Sequence, residues 1–411
     1  MKSQAVPATL FVHNRSRLAE LMSTGSLALL RSGTRKLRNG DQYYPFRQCS
    51  NFFYLTGINQ EESFLILCPD HSDPEFREIL FIKKPTLKSD LWSGPSIDPE
   101  EAKALSGIGT IRWLDEKDSY LLSLIKNTEL VYADHETGMA HYSPKTHLAP
   151  LLQRLRMIKQ PDEIEEIRKA ISITGSAFLR VLQRMGPGLF EYQVEAEIIG
   201  EFIARGAEGH AFQPIMASGK NALVLHYTEN KALCREGELL LMDFGAEFNH
   251  YAADCSRTIP VNGRFTSRQR ELYDAVLRVF RQARDLMVSG ALMADFHKAV
   301  GQLWEEEHMA LGLYSRKDVE NNAGKEPLWK NFFMHGTSHS MGLDVHDPFD
   351  RSIPFAPGMV LSCEPAIYIP DEGIGIRLEN DILITEKGAV DLMQDIPIEA
   401  EEIEELMNAS Q

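Results

Sequence analysis

The stretch GELLLMDFGAEFNHYAADCSRTIP, residues 237–260, decides how the second half of this chain folds. Leu239 to Met242 is an apolar run that predicts a buried strand, and Asp243 follows it directly. The Asn-His pair at 249–250 is a turn signal, after which the chain returns with Asp254 on the second strand. We therefore expect a hairpin that brings Asp243 and Asp254 together near its end.

A second apolar segment repeats this arrangement further along the chain. Met359 to Ile369 predicts a strand with Glu364 in its middle, and residues 370–373, PDEG, predict a turn. Ile374 to Ile384 then predicts a returning strand. Because side chains alternate along a strand, its charged residues share one face: Arg377, Glu379 and Asp381.

Five side chains in these segments and in the histidine-rich stretch between them have the chemistry of metal ligands: Asp243, Asp254, His339, Glu364 and Glu379. Any one acid alone is more simply a turn cap or half of an ion pair. Several acids within apolar strands need a common counter-charge, because a buried unpaired charge is costly. Four carboxylates and one imidazole predict two divalent ions, with Mn²⁺ favoured and Zn²⁺, Co²⁺ and Fe²⁺ as alternatives.

Five motifs resemble the aminopeptidase P (Xaa-Pro aminopeptidase) branch of the metallopeptidases with the pita-bread fold. The motifs are ASGKNALVLHYTEN (217–230), LLLMDFGAEFNHYAADCSRTIPVNGRF (239–265), HGTSHSMGLDVHD (335–347), CEPAIYI (363–369) and GIRLEND (375–381). The front stretch RNGDQYYPFRQCSNFFYLTG (38–57) is similar to the N-terminal domain of the same proteins. The resemblance covers nearly the whole chain and implies hydrolysis of a peptide bond by an activated water.

The resemblance also implies roles for individual residues. Asp243 would bind one ion, Asp254 and Glu379 would bridge both, and His339 and Glu364 would complete the shell of the second. Glu364 would also accept the proton of the attacking water. Four further residues would bind substrate or support catalysis, namely His226, His335, His346 and Tyr368. Arg377 would orient a carboxylate or a substrate group, with a plain structural ion pair as the alternative.

The pattern of elements predicts an α/β (α+β) protein of two domains: a small α/β N-terminal domain, residues 1–158, and a second domain, residues 159–411, made of two pseudo-symmetric α/β halves. The resemblance implies that the second domain is a catalytic pita-bread domain. In the first domain we expect strands at FFYLTGI, SFLILCP, EILFIKK and ELVYAD, with helices at RSRLAELMS, PEEAKALSG and SYLLSLIKN. In the second domain, helices at Asp162–Met185 and Tyr192–Ala204 are echoed by helices at Ser267–Val288 and Asp295–Leu311. We expect residues 314–330 to form a mobile loop.

The composition limits the classes of partner that the protein is expected to bind. The net charge of −16 argues against nucleic acid and against an anionic membrane surface, since both would be repelled. No apolar run is long enough for a signal peptide or a membrane span, and the five cysteines are scattered without a CxxC pair. We therefore expect a cytoplasmic protein, and the resemblance implies a homodimer or homotetramer.

The resemblance leaves three functions to be compared. The first is removal of the N-terminal residue from peptides that have proline second. The second is a prolidase, which uses the same dinuclear site but is restricted to Xaa-Pro dipeptides. The third is a non-catalytic binding module on the same fold, which the presence of every ligand position disfavours.

Overall fold

The computed structural model describes residues 5–86, 91–92, 94–126, 128–133 and 145–409. These residues fall into two compact units, one built around Gln4–Arg156 and the other around Met157–Gln411. None of the described helices is both long enough and apolar enough to cross a membrane.

Eleven α-helices are used below, numbered in chain order: Ala8–Leu21 (α1), Ser50–Thr56 (α2), Pro99–Ser106 (α3), Lys117–Ile125 (α4), Ala149–Met157 (α5), Pro161–Arg184 (α6), Glu191–Ala204 (α7), Ser267–Leu286 (α8), Met293–Ala310 (α9), Arg316–Asn321 (α10) and Ala400–Asn408 (α11). Short 3-10 turns span Pro74–Phe76, Leu114–Glu116, Gly219–Leu223 and Leu328–Asn331.

The strands are Ser26–Arg31 (β1), Leu37–Asn39 (β2), Gln42–Tyr43 (β3), Phe64–Leu67 (β4), Glu78–Ile82 (β5), Thr110–Trp113 (β6), Leu130–Ala133 (β7), Lys145–His147 (β8), Gly209–His210 (β9), Ile215–Ser218 (β10), Leu239–Phe244 (β11), Ala246–Phe248 (β12), Tyr251–Ala252 (β13), Cys255–Pro260 (β14), Val360–Cys363 (β15), Ala366–Ile369 (β16), Ile374–Arg377 (β17), Asn380–Thr385 (β18) and Gly388–Asp391 (β19).

The first unit is built on a mixed six-stranded sheet in the order β6-β5-β4-β1-β7-β8. Its centre is β1, which runs antiparallel to β4 and parallel to β7. Strands β1, β4 and β5 are buried along almost their whole length, as expected for strands covered on both faces. Strand β1 was not predicted, because SLALLR is an apolar run too short for periodicity to distinguish strand from helix.

The predicted strand FFYLTGI is wrong, because residues 50–56 form helix α2. Its aromatic residues favour a strand by propensity, but tertiary hydrogen bonds satisfy the carbonyls at the end of the helix. The Asn14 amide donates to the Tyr54 carbonyl (3.0 Å) and the Arg15 guanidinium donates to the Leu55 carbonyl (2.7 Å). Gly57 ends the helix at a φ of 67°, where an added Cβ would lie 2.2 Å from the Phe11 ring.

The second unit contains two sets of helices and strands. In the first set, the long helices α6 and α7 accompany β9 to β14. In the second, α8 and α9 accompany β15 to β19. Sheets β10-β11-β14 and β15-β18-β19 belong to different sets, and each places an acidic segment at one end of a strand. The predicted helices are confirmed, with ends that differ by a few residues.

Two predicted long strands are each broken in two. The apolar run at 359–369 forms β15 and β16, which are separated by Glu364 and Pro365. Proline has no N–H to donate, so the ladder cannot continue through Pro365. The returning run forms β17 and β18, with a break at Leu378 and Glu379. At that break the backbone N–H of Glu379 turns to the Ser256 carbonyl (3.1 Å), which links the second set of strands to the first.

The segment 314–330, which we expected to be a loop throughout, contains helix α10 and the start of a 3-10 turn. Ser315 caps α10: its hydroxyl accepts from the Asp318 N–H (3.3 Å), while the Asp318 carboxylate accepts from the Ser315 N–H (2.8 Å). This capping box explains why a polar segment forms a helical turn.

Candidate metal centre

The first hairpin folds as the sequence predicts. Strands β11 and β14 pair antiparallel, with Asp243 opposite Ser256. The hairpin continues as β12 and β13 and closes at Asn249 and His250, whose φ angles are 48° and 67°. Two consecutive positive φ values are the mark of a tight two-residue hairpin turn, in which asparagine is favoured.

Gly245 lies just after Asp243 at a place where the backbone strands come too close for a side chain. A Cβ at this position would lie 1.7 Å from the carbonyl oxygen of Ala253. The glycine therefore permits the close approach of the two strands between Asp243 and Asp254.

The structure brings all five predicted ligands to one cavity. Ligand atoms of Asp254, His339 and Glu379 lie within 4.8 Å of one another. The Nε2 atom of His339 is 3.3 Å from Asp254 Oδ2 and 3.9 Å from Glu379 Oε1. It is also 3.8 Å from Glu364 Oε1, and Asp243 lines the same cavity.

The electrostatics of this cluster fit a cation. Burial, and then the charges of Asp243 and Asp381, raise the pKa of Asp254 well above its usual value. Burial and the charge of Asp254 do the same to the pKa of Glu379. The Oδ1 atoms of Asp243 and Asp254 are buried and have no hydrogen-bond partner among the described residues. Carboxylates crowded in this way, with free oxygens and a neighbouring imidazole, have the chemistry of a divalent metal site.

Arg377 links Asp243 to two neighbouring hydroxyl groups. Its Nη2 lies 2.7 Å from Asp243 Oδ2, its Nε donates to Ser256 Oγ (2.8 Å), and its Nη1 donates to the Tyr368 hydroxyl (2.8 Å). Burial lowers the pKa of Arg377, but Tyr368, Asp243 and nearby acids together raise it well above its usual value, so the guanidinium stays charged. Arg377 is therefore in position to orient Asp243.

The three remaining histidines line the same cavity. The Nε2 atom of His335 is 3.0 Å from the Tyr368 hydroxyl, and its Nδ1 is 3.6 Å from Glu364 Oε2. Burial, followed by the charge of Arg377, lowers the pKa of His335 to about 3, so this imidazole is neutral near pH 7. His346 packs edge-on against His339 with ring centroids 4.3 Å apart, and burial lowers its pKa as well.

The cavity has a volume of about 680 Å³ and is open enough to admit a peptide end. Besides the ligands and histidines, its wall contains Phe212, Ile215, Leu225, Met293, Val345 and Phe349. The cavity therefore combines a cluster of carboxylates with an apolar lining.

The sequence did not predict the role of three residues that contact the proposed ligands, namely Ser256, Ser362 and Asp381. Ser256 donates from its Oγ to Glu379 Oε2 (2.7 Å). Ser362 accepts from the His339 N–H (3.0 Å) and donates to Glu364 Oε1 (3.3 Å). Asp381 is fully buried, and its Oδ2 accepts from the Asp254 N–H (3.2 Å). Each lies two residues from a ligand, so the period of two along a strand was the signal that would have found them.

Two family models match most of the chain. Metallopeptidase family M24 matches residues 165–386, and the N-terminal domain of aminopeptidase P matches residues 11–132. The Xaa-Pro aminopeptidase of Escherichia coli (strain K12) is 36% identical over 435 residues, covering 97% of this chain and 98% of the relative. Xaa-Pro aminopeptidase 3 of Homo sapiens is 34% identical, covering 90% of this chain and 78% of the relative.

The comparison with solved structures leads to the same family. A zinc-substituted E. coli aminopeptidase P in complex with product superposes with a TM-score of 0.90 at 34% identity, covering 99% of this chain and 100% of that one. Aminopeptidase PepP of Pseudomonas aeruginosa superposes with a TM-score of 0.92 at 30% identity, covering 98% and 99%. The fold and the site define a metal-dependent hydrolase. The chain belongs to metallopeptidase family M24 and carries an aminopeptidase P N-terminal domain. The predicted family and the predicted pita-bread fold class are confirmed.

Proposed function

We propose that this chain hydrolyses the first peptide bond of peptides that have proline in second place and releases residue one. One observation carries the proposal: five metal-ligand side chains and three histidines meet in a single cavity of about 680 Å³. The relatives that match along nearly the whole chain are named Xaa-Pro aminopeptidases, which supports the same activity here.

The site would hold two divalent ions, with Mn²⁺ preferred and Zn²⁺, Co²⁺ or Fe²⁺ as alternatives. Its ligands would be Asp243, Asp254, His339, Glu364 and Glu379. The charge of the four carboxylates among them would balance two M²⁺. Oxygen-dominated ligation with one imidazole favours Mn²⁺ among these metals. When bound, the ions supply Lewis acidity, which polarises the scissile carbonyl and makes water a stronger nucleophile near neutral pH.

The catalytic residues of the chain then bind substrate and move protons. Glu364 accepts a proton from the attacking water and passes it to the leaving nitrogen of proline. Burial raises the pKa of Glu364, which makes its carboxylate a stronger base. His226 and His346 donate hydrogen bonds to the substrate carbonyls as negative charge develops on oxygen. Arg377 holds Asp243 in place, and His335 with Tyr368 forms one side of the pocket for the proline ring.

Proline explains the shape of the site. A peptide nitrogen in proline has no hydrogen and is part of a ring, so the site has to offer an apolar surface where other aminopeptidases offer an acceptor. The apolar part of the cavity lining, which includes Phe212, Met293 and Phe349, supplies such a surface.

Prolidase activity is the nearest alternative. The HYTEN segment at 226–230 and the VNGRF segment at 261–265 resemble aminopeptidase P more closely, and so do the named relatives. A direct comparison separates the two: purified protein is given an Xaa-Pro dipeptide and the matching Xaa-Pro-Pro tripeptide. We expect efficient cleavage of the tripeptide. Cleavage of the dipeptide alone would make the protein a prolidase, and no cleavage of either with stoichiometric metal bound would leave a non-catalytic binding module.

The remaining features complete the proposal. The catalytic domain comprises residues 159–411, and residues 1–158 form the domain that limits substrate length. The protein acts on peptides in the cytoplasm as a homodimer or homotetramer, and its partners include neither nucleic acid nor membrane. The net charge of −16 supports the last point.

A further inference from the structure

The first residue of helix α7, Glu191, is completely buried, and its carboxylate accepts four hydrogen bonds. Oε1 accepts from the Ser218 N–H (2.7 Å) and from the Asn221 amide (2.9 Å). Oε2 accepts from the Tyr227 hydroxyl (2.9 Å) and from the Ala232 N–H (2.8 Å). All four donors belong to one stretch of chain, residues 218–232, which we call the His226 segment.

The His226 segment depends on tertiary contacts for its conformation. After the 3-10 turn Gly219–Leu223, the described residues up to Glu238 form neither an α-helix nor an extended strand. Backbone groups outside regular structure need other partners, and Glu191 supplies two of them. Leu225, His226 and Thr228, which line the catalytic cavity, lie between the donors that Glu191 holds.

A second glutamate on the same helix adds to this restraint. Glu195 lies one turn beyond Glu191, so both side chains share a face of α7. Its carboxylate accepts from the Asn230 amide (3.0 Å) and the Gln213 amide (3.2 Å), and Gln213 lines the cavity. Asn230 has a φ of 46°, and its Oδ1 accepts from the Met216 N–H (2.9 Å). Helix α7 therefore holds the segment at both ends.

The site at Glu191 requires a carboxylate. No arginine or lysine pairs with Glu191 among the described residues, and its four donors are neutral. Its place in the first turn of α7 adds the favourable field of the helix N-terminus. A carboxylate can accept at both oxygens, whereas the amide of glutamine presents N–H groups on one side. Glutamine would therefore leave an N–H facing either the Ser218 N–H or the Ala232 N–H, both of which can only donate.

We infer that Glu191 is a positioning residue that sets the place of His226 in the catalytic cavity, with Glu195 assisting from the next turn. The inference rests on the proposed function, because His226 matters to turnover only if it contacts the substrate. Glu191 itself touches no reacting group and acts through the four donors of the His226 segment.

Hydrogen exchange of the metal-loaded protein tests the restraint without reference to activity. The variants are Glu191→Gln and a matched control, Glu166→Gln, which alters another buried glutamate that accepts from the Asn249 amide (2.9 Å). We expect Glu191→Gln to speed exchange in residues 219–232 and to leave residues 246–253 unchanged. The control Glu166→Gln should speed exchange in residues 246–253 and leave residues 219–232 unchanged, or change the exchange of neither region. Equal protection of 219–232 in Glu191→Gln and in the parent protein would overturn the inference. Should Glu191→Gln not fold, Tyr227→Phe removes one donor and should produce a smaller effect in the same residues.

Measurements of kcat/KM then test whether Glu191 acts through His226. On an Xaa-Pro-Pro tripeptide, Glu191→Gln should lower kcat/KM by roughly tenfold to a hundredfold, because small misplacements of a contact residue are costly. The double variant Glu191→Gln/His226→Ala should be no slower than His226→Ala, because both changes remove one function. Multiplicative losses would contradict the inference while leaving the proposed function intact. A parent protein that does not cleave the tripeptide would contradict the proposed function, and the exchange result would still decide whether Glu191 holds the segment.

Discussion

Lys159 and Asp347 form an ion pair at 3.2 Å in the interior of the second unit, and both side chains are about 1% exposed. The ammonium also reaches Ser340 Oγ (3.4 Å), and the Asp347 N–H donates to the Ser340 carbonyl (2.8 Å). Ser340 follows His339 and Asp347 follows His346. The pair therefore fastens together the two ends of the loop that carries a proposed ligand and a proposed substrate contact.

Removing one member of this pair should be costly. We expect Lys159→Met to lower the free energy of unfolding by about 3–5 kcal/mol, because Asp347 would remain buried with a lost partner. Denaturant unfolding measures the loss. Lys330→Met is a suitable control, since Lys330 and Glu326 are both exposed in their pair, and it should change stability by less than about 1 kcal/mol. Similar losses in the two variants would contradict this explanation.

Glu163 should make the protein less stable as the pH rises. Burial raises its pKa from 4.5 to about 7, against smaller opposing effects of the Gln160 N–H and Lys159. Between these two values the folded protein holds a proton that the unfolded chain has released, so stability falls with increasing pH. Relative to Glu163→Gln, the parent should lose up to about 3 kcal/mol between pH 4.5 and 7. Unfolding curves of both proteins across this range, at equal metal loading, measure the difference. Parallel pH profiles would show that the pKa of Glu163 is the same in the folded and unfolded protein, and would contradict this explanation.

Arg377 should matter for metal affinity more than for folding. Arg377→Lys keeps the positive charge but cannot make three directed contacts to Asp243, Ser256 and Tyr368. We expect metal affinity to fall by about 10–100-fold, the usual cost of losing a group that orients a ligand. Titration of Mn²⁺ into chelator-treated protein measures this. Arg268→Lys, a change at the surface pair with Glu372, should leave the affinity unchanged. Unaltered affinity in Arg377→Lys would favour a plain structural ion pair.

Asp254 should show a conflict between function and stability. Asp254→Asn should abolish turnover, because a proposed bridging ligand is lost. The same change should stabilise the metal-free protein by on the order of 1–2 kcal/mol, because it removes one of several crowded buried charges. Activity assays and metal-free unfolding curves of the same preparation measure both effects. Normal hydrolysis by Asp254→Asn would rule out the proposed two-ion site.

The parts of the structure that local rules govern could be predicted from the sequence. The turn at Asn249 and His250 follows from residues that tolerate positive φ, and Asp243 at the end of β11 follows from an apolar run that stops at an acid. Helix α6 begins at Pro161, one residue before the predicted start at Asp162, because proline suits the first turn of a helix. The five proposed ligands could be selected from the sequence because several buried acids within apolar strands require a common counter-charge.

The parts that depend on distant partners could not be predicted. Residues 52–56 are helical because α1, about forty residues earlier in the chain, satisfies the last carbonyls of α2. The breaks at Pro365 and Glu379 lie opposite each other in one hairpin, because β15 and β18 keep the register of β16 and β17. At the break the Glu379 N–H bonds to the distant Ser256 carbonyl, which no local pattern reveals. The period of two places Ser256 and Asp381 near proposed ligands, but their contacts reach across more than one hundred and twenty residues of sequence, so only the folded chain shows which groups they bind.

Turnover of an Xaa-Pro-Pro tripeptide by chelator-treated protein, re-supplied with one divalent metal at a time, tests the central claim most directly. The five gathered ligands predict no turnover without metal and full recovery at two equivalents of Mn²⁺ per chain. Undiminished hydrolysis by protein shown to be free of metal would contradict it.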